Sequence, residues 1–335
     1  MTIHTVEIVG GGLAGLSLGL GLRARGVPVR IIEAGNYPRH RVCGEFITGL
    51  DEDTRRELQL TDILAGARPA RSVLWSEPGY PVLRHNLPEA ALCLSRYRLD
   101  EAMASAFTAA GGELRTGCRG PSDAQPGRIM ASGRRPQASS RWVGLKQHFH
   151  ELDLREDLEL HLGHGAYVGL TRIEGPAVNV CGLFPRPGRG EACGLIDRVR
   201  AAGLTSLARR LESATAVEAT ACAVAGLDYS RPAPQPAALG DYHGLIPPFT
   251  GHGMTVAMQS AALAARRLEV WARGRSTWDE TLSLLQQDLR RRFARKLAWG
   301  RVLHPWLLAP HGRRIVHLLH RWRLLPLGPL YRLCH

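Results

Sequence analysis

Lysine is almost missing from this chain: of 43 basic residues only Lys146 and Lys296 are lysines, so arginine carries nearly all of a formal net charge of +13. Such a balance first suggests nucleic acid. No helix-turn-helix, zinc-finger or RNP-type signature accompanies it, so nucleic acid is not an expected partner. Cysteine pairs are missing too. The seven cysteines, at 43, 93, 118, 181, 193, 222 and 334, form no C-x-x-C. That argues against structural zinc and against a disulfide framework, and no metal site is expected. No apolar run is long enough for a membrane span, since Leu13 to Leu22 is too short to cross a bilayer. The chain opens directly on an apolar strand, which leaves no room for a signal peptide and makes the cytoplasm the expected location. At 335 residues and 44% hydrophobic, the chain has the length and composition of about two globular domains.

What is present begins at Thr5. An apolar strand (Val6, Ile8, Val9) runs into Gly10-x-Gly12-x-x-Gly15, a helix carries the chain to about Arg25, and a second strand from Val27 to Ile32 ends in Glu33. This is a βαβ unit with the dinucleotide fingerprint in its proper context. Gly10 permits the tight turn, Gly12 leaves room for a pyrophosphate, and Gly15 lets the helix pack closely on the strand. The free N–H groups at the helix start, around Leu13 and Ala14, then meet the phosphates. Glu33 comes eighteen residues after Gly15. With Ala34 it is placed at the adenosine ribose, where a carboxylate repels a 2′-phosphate. FAD or NAD is therefore expected rather than NADP.

The loop after Glu33 holds Arg41-Val42-Cys43-Gly44-Glu45, and a later stretch reads Leu94-Ser95-Arg96-Tyr97-Arg98-Leu99-Asp100 before a helix to about Ala110. The Arg-x-Cys-Gly segment resembles the geranylgeranyl reductase branch of FAD-dependent oxidoreductases, and the adjoining Gly-Glu resembles the same loop in flavin-dependent halogenases. The resemblance places Arg41, Cys43, Gly44 and Glu45 beside the flavin and gives Arg96 a place near its ribityl and phosphate region. From spacing alone, Cys43 reads equally as a buried thiol in a loop and Arg96 as a surface arginine at a helix start. Arg128 to Arg135 is similar to the Ala-Asp-Gly-Arg-Arg-Ser segment of para-hydroxybenzoate hydroxylase relatives, with Ser132 in place of the Asp and Pro136 in place of the Ser. Without that carboxylate the route by which a flavin is reduced stays open, and NAD(P)H is the candidate donor.

A second motif stands some 230 residues after the first. Gly240-Asp241 ends a short apolar run, a Pro-Pro loop containing Pro248 leads to Gly251-x-Gly253, and a long helix starts near Met254. It resembles the second FAD motif of the same families, with Tyr242 and His243 replacing two alanines. Asp241 suits the ribityl hydroxyls, Gly251 and Gly253 let backbone approach the isoalloxazine, and the helix start favours the anionic reduced ring. An NAD dehydrogenase needs only the first motif, so the pair points to FAD.

Between the motifs, 51–65 reads as one amphipathic helix, and short β-prone runs occur at Ser72–Trp75, Pro81–Leu83 and Ala91–Leu94. Trp142–Phe149, Leu158–Leu162, Ala166–Ile173 and Ala177–Phe184 read as a meandering antiparallel sheet, followed by two short helices over 190–212. The resemblance makes that sheet the floor of a substrate pocket. Trp142, Phe149, Tyr167 and Phe184 are its candidate lining or else plain core, and Lys146, His148 and His161 are expected on its solvated face. From Ser276 on, helices are expected over Leu282–Arg295, Arg301–His311 and Gly312 onward. The last is amphipathic and basic, and it suits either packing on the body or peripheral contact with a membrane.

The expected fold is α/β: a glutathione-reductase-type, Rossmann-like FAD-binding domain with an interleaved antiparallel substrate sheet and a helical C-terminal part. The expected segments are 1–70, 96–140 and 231–270 for the FAD domain, 71–95 and 141–230 for the substrate domain, and 271–335 for the basic helical region. The expected activity is that of an FAD-dependent monooxygenase on an apolar aromatic or polyketide-like molecule. A reductase of isoprenoid or lipid double bonds, and a non-catalytic nucleotide-fold protein at a membrane surface, are the alternatives. Halogenation is disfavoured, because no Trp-x-Trp-x-x-Pro occurs and no lysine precedes Lys146. The sequence names neither catalytic residues nor an oligomeric state.

Overall fold

A computed structural model describes residues 3–133, 140–186, 188, 194–226, 237–242, 251–309, 311, 312, 314, 315 and 318, with the backbone alone for 300–308. The expectations for Arg134 to Pro136, the linker Tyr229–Pro236, His243, Pro248 and everything from Leu319 onward lie outside the described residues, as do Arg313, Val316 and His317.

In chain order, β1 (Val6–Val9), α1 (Leu13–Ala24) and β2 (Val29–Ile32) are followed by a two-residue strand β3 (Phe46–Ile47) and short helices α2 (Glu52–Glu57) and α3 (Thr61–Leu64). The single helix expected over 51–65 is thus two, because Gln59 between them takes a positive φ of 57°. Next come β4 (Arg68–Ser76), β5 (Leu83–Cys93), α4 (Arg96–Ala109), β6 (Glu113–Arg115) and β7 (Arg128–Met130). Strand β5 unites two runs that the sequence pattern separates. Then follow β8 (Trp142–His150), β9 (Leu158–Gly163), β10 (Ala166–Arg172), β11 (Val178–Pro185), α5 (Leu195–Ala201), α6 (Thr205–Glu212) and β12 (Thr215–Ala225). A 3-10 turn (Gly240–Tyr242), α7 (Gly253–Ala272) and α8 (Trp278–Leu308) complete the described elements. Helix α8 runs through Gly300, where the sequence suggests a break; one interior glycine costs a helix only about 1 kcal/mol.

Two sheets organise the chain. The first is parallel, in the order β6-β2-β1-β7, with its central strands β1 and β2 short, apolar and largely buried. Helix α1 crosses from β1 to β2 and is buried over nearly its whole length, between the sheet and α7. Gly21 makes that approach feasible: a Cβ there would stand 3.3 Å from the Ala265 Cβ. Leu16, Leu20, Met258, Ala261 and Leu268 belong to the core that results.

The second sheet has eight strands in the order β12-β8-β11-β10-β9-β4-β5-β3, antiparallel throughout except where β4 runs parallel to β9. The expected simple meander holds for β9, β10 and β11. Strand β8 departs from it, pairing with β11 and β12 instead of its sequence neighbour β9. Alternation in a strand fixes which side chains share a face; it does not choose the neighbouring strand. One face is covered by α5 and α6, with Phe149, Val168, Val180 and Phe184 packed on Val199 and Leu207. The other, inner face gathers Trp75, Trp142, Leu160, Leu162, Tyr167 and Leu183.

Candidate functional site

The glycine turn after β1 is built as its spacing requires. Gly10 has φ 109°, a region closed to most side chains, and a Cβ there would strike the Ala131 carbonyl and the Ser132 Cα. A Cβ on Gly15 would collide with the Gly10 carbonyl. Gly12 differs, because a Cβ there would meet nothing within 4 Å. Gly12 is also the N-cap of α1 and offers no capping side chain, so the first N–H groups, at Leu13 and Ala14 and beyond, have no side-chain acceptor.

Glu33 closes the side of this turn. Its Oε2 accepts from Gly11 N at 2.6 Å, and its Oε1 accepts from Gly35 N at 3.0 Å and from Arg39 at 2.5 Å. The Arg41 guanidinium stands 3.9 Å away. A carboxylate has about four lone-pair positions, so Oε2 keeps acceptor capacity. Ala34 follows, exposed. Tyr37 caps the arrangement by donating to the Gly11 carbonyl.

The second motif comes to the same edge. Leu239 N donates to the Met130 carbonyl at 2.9 Å, extending the parallel sheet beyond β7. Gly240 then turns with φ 58°, and a Cβ there would lie 2.9 Å from the Ala14 Cβ. Asp241 is thereby exposed at the carboxyl edge that carries Gly10 and Glu33, about 14 Å from Glu33 by strand spacing. Helix α7 starts beside it at Gly253, where a Cβ again meets nothing within 4 Å and no side chain caps the N-terminus. Met254 is buried in that first turn. Thr255 Oγ1 donates to the Thr48 carbonyl at 2.6 Å, and Thr48 Oγ1 donates to the Gly251 carbonyl at 3.3 Å. These bonds tie the helix start to β3. Two uncapped helix ends thus open on one sheet edge between two carboxylates, which suits a long ligand with a diphosphate and hydroxyls.

The Arg41–Glu45 loop lies between this edge and the inner face of the second sheet. Arg96 is not a surface arginine. It grips the fully buried Asp100 with two bonds, at 2.7 and 2.8 Å, and Arg41 Nε reaches the same carboxylate at 3.0 Å. The reason is the helix register: residues four apart in α4 share a face, and that face is turned into the loop. Burial alone would lower the Arg96 pKa; the Asp100 charge and hydrogen bonds raise it. Burial also raises the Cys43 thiol pKa, against the pull of Arg96. The Cys43 carbonyl accepts from Asn179 Nδ2 at 2.9 Å, and a Cβ on Gly44 would press on the Phe46 ring.

Lys146, His148 and His161 correct the sequence reading, for none is solvated. Lys146 is 1% exposed and both histidines 5%. Even-numbered positions of β8 point into the space between the two sheets, so Lys146 and His148 share the inner face with Trp142. There they meet Glu45. Lys146 Nζ lies 3.0 Å from Glu45 Oε1 and His148 Nε2 lies 2.7 Å from Oε2, while Arg96 N donates to Oε1 at 3.0 Å. His40 joins through Nδ1, 3.3 Å from Lys146 Nζ, and stacks on Tyr97 at 4.5 Å. Burial pushes the Glu45 pKa up, but the His148 hydrogen bond and the Lys146 charge outweigh it and hold the carboxyl below its usual range. Burial and the nearby Lys146 charge lower the His40 pKa. His161 belongs to the opposite face, where Glu159 binds it at 2.7 Å together with Arg210 of α6 at 2.8 Å. Of the four aromatics, Phe149 and Phe184 are core under α5 and α6, whereas Trp142 and Tyr167 lie on the inner face. A lysine in mid-strand, in a chain with only two, was the available signal for this cluster. Among the described residues no group of His, Cys, Asp and Glu suits a metal ion.

No family model matches the chain, and no curated protein matches it. Solved structures do. The flavin-dependent brominase Bmp2 has 16% identity and a TM-score of 0.76, over 100% of this chain and 93% of that one. A geranylgeranyl bacteriochlorophyll reductase-like protein from Thermoplasma acidophilum has 16% identity and a TM-score of 0.70, over 92% and 88%. PqsL of Pseudomonas aeruginosa, a probable FAD-dependent monooxygenase, has 16% identity and a TM-score of 0.69, over 93% and 98%. The chain has the fold of these proteins, which bears out the expected α/β architecture.

Proposed function

We propose that this chain is an FAD-dependent oxidoreductase, a monooxygenase acting on an apolar aromatic or polyketide-like small molecule. The observation that carries the proposal is the meeting of two uncapped helix starts, at Gly12 and Gly253, on the sheet edge between Glu33 and Asp241. The N–H groups at Gly12, Leu13 and Ala14 take the diphosphate, with Gly10 and Gly15 shaping the turn. Glu33 and Ala34 hold the adenosine ribose, and Asp241 holds the ribityl chain. Arg41, Cys43, Gly44 and Arg96 line the cofactor from the loop side, and Gly251, Gly253 and Met254 bound the ring. When bound, FAD supplies the redox chemistry, taking electrons from a donor such as NAD(P)H and passing them to oxygen. Trp142, Tyr167, Leu160, Leu162 and Leu183 keep the substrate side apolar and exclude water. The boundaries we propose are those at 70, 95, 140, 230 and 270.

The Arg41–Gly44 loop, with Cys43 buried against Arg96, supports a second reading, reduction of an isolated or conjugated double bond. Purified protein decides between the readings. Yellow protein with flavin absorption is expected, and folded, colourless protein that takes up no FAD would overturn both. With substrate, a product gain of one oxygen supports hydroxylation, two hydrogens reduction, and a halogen in place of hydrogen neither. Ile315 and Leu318, 38% and 54% exposed on helical backbone, support a peripheral membrane contact of the tail. Co-sedimentation with liposomes that survives deletion of residues 311–335 would rule it out. No described helix is long and apolar enough to cross a membrane.

A further inference from the structure

We propose that Glu45 and His148 form a proton-accepting pair on the inner sheet face, held by Lys146, and that the substrate carries an acidic hydroxyl, a phenol or enol, which His148 deprotonates. The inference rests on the oxidoreductase reading above and adds to it a substrate class and a catalytic residue.

Four observations carry it. First, Glu45 is fully buried and kept in the left-handed region with φ 59°, a conformation a non-glycine residue adopts only where its surroundings impose it. The loop thus aims a charge at the sheet instead of at solvent. Second, the carboxylate divides its oxygens, Oε1 for Lys146 Nζ and Arg96 N and Oε2 for His148 Nε2. With Nε2 donating to Glu45, the imidazole is fixed in the tautomer whose Nδ1 is the base, and an imidazolium formed there is stabilised by the same carboxylate. Third, Asn179 stands directly across from His148 in the β8–β11 register; its Oδ1 is buried without a hydrogen-bond partner while its Nδ2 is spent on the Cys43 carbonyl. An unmet acceptor beside the base fits a further donor on the ligand, a second hydroxyl or an N–H, because the acidic hydroxyl gives its one proton to His148. Fourth, the sheet beside the cluster carries small residues. Cys181 lies across from Lys146 and Gly169 across from Cys181, and a Cβ on Gly169 would touch only the Cys181 and Glu159 carbonyls, at 3.8 and 4.0 Å.

In the step, the substrate O–H bond breaks and an N–H bond forms at His148 Nδ1. The proton remains on the imidazole beside Glu45, and the electron pair remains on the substrate oxygen, next to the imidazolium that has formed. No electron is transferred. The other ionisable groups around the pair are His40 and Cys43 from the loop, Cys181 of β11, Cys222 of β12, Arg96 at the start of α4, and Glu174. Burial raises the pKa of all three thiols, so they do not compete as bases near neutrality.

The test uses 4-nitrophenol, whose ionisation is visible, titrated into the full-length flavin-loaded protein across pH. The bound probe is expected as phenolate well below its pKa in water, an apparent shift of about one unit, tenfold in the ionisation constant, or more. His148→Gln, checked for flavin content and thermal midpoint, is expected to abolish the shift. Should that variant not fold, the wild-type spectrum still decides. A probe that binds as neutral phenol, fails to bind the yellow protein, or keeps its shift in folded His148→Gln overturns the pair while leaving the flavin reading intact. Protein that never takes up flavin overturns that reading instead.

Discussion

A carboxylate removed from water is stable only if its acceptor positions are filled, and at Glu45 an ammonium, an imidazole and a backbone N–H fill them. Removing one partner leaves the others stranded. Glu45→Gln strands the buried Lys146 and is expected to cost about 3–5 kcal/mol. The double variant Glu45→Gln, Lys146→Met restores much of this, and denaturant unfolding measures the coupling. The pH dependence has one sign. The Glu45 carboxyl is depressed in the folded chain and that of Glu159 is held down to about 2, so both contribute stability above an unfolded value of ~4.3. That contribution drains away as pH falls through the folded values. Arg210→Met should therefore move the acid-unfolding midpoint upward, which circular dichroism follows between pH 5 and 2. At the glycine turn before α1, the Cβ of Gly12→Val meets no atom within 4 Å, so the variant is expected to cost only about 1 kcal/mol as a weaker cap while crowding out a diphosphate. Gly10→Val, clashing with Ala131 and Ser132, should not fold at all.

Elements set these residues in place through their ends. Ser95 caps α4 by accepting from Arg98 N at 3.2 Å, and its own N–H donates to Glu174 at 2.8 Å. Helix α4 carries both Arg96 and Asp100, so this cap orients the loop-facing ion pair. Ser95→Ala is expected to lower stability by about 1 kcal/mol and to weaken flavin retention with it, read from the thermal midpoint and the 450 nm band. Helices α1 and α7 do the opposite, leaving their starts without side-chain caps where the two turns meet. Their positions were legible in the sequence because glycine spacing, strand and helix lie next to one another in the chain. The Glu45 cluster was not. Its members, His40, Glu45, Lys146 and His148, come from a loop and a strand about a hundred residues apart, and β-alternation marks two faces without saying which faces water. Hence the sequence alone puts Lys146 and His148 on the solvated face and lets Arg96 pass as a surface residue, whereas the fold turns all three inward.

At the scale of the molecule, one sheet carries the two glycine turns and the other carries the buried cluster, with the 41–48 segment between them. Strand β3 belongs to the second sheet through its pairing with β5, yet Thr48 beside it holds the start of α7. Chemistry at the joint therefore needs both sheets correctly assembled. The sequence reading places Arg41 to Glu45 beside a flavin by resemblance but does not reach this junction, since nothing local in Phe46 or Thr48 announces a strand. The account's central claim, that two distant turns grip one flavin nucleotide, is tested most directly by titrating FAD into flavin-free protein and into its Gly12→Val and Gly253→Val variants. One FAD per chain is predicted for the wild type. Each variant should bind at least about tenfold more weakly, ~1.4 kcal/mol, with its fold preserved. Equal FAD affinity in either folded variant, or no binding to the folded wild type, would contradict it.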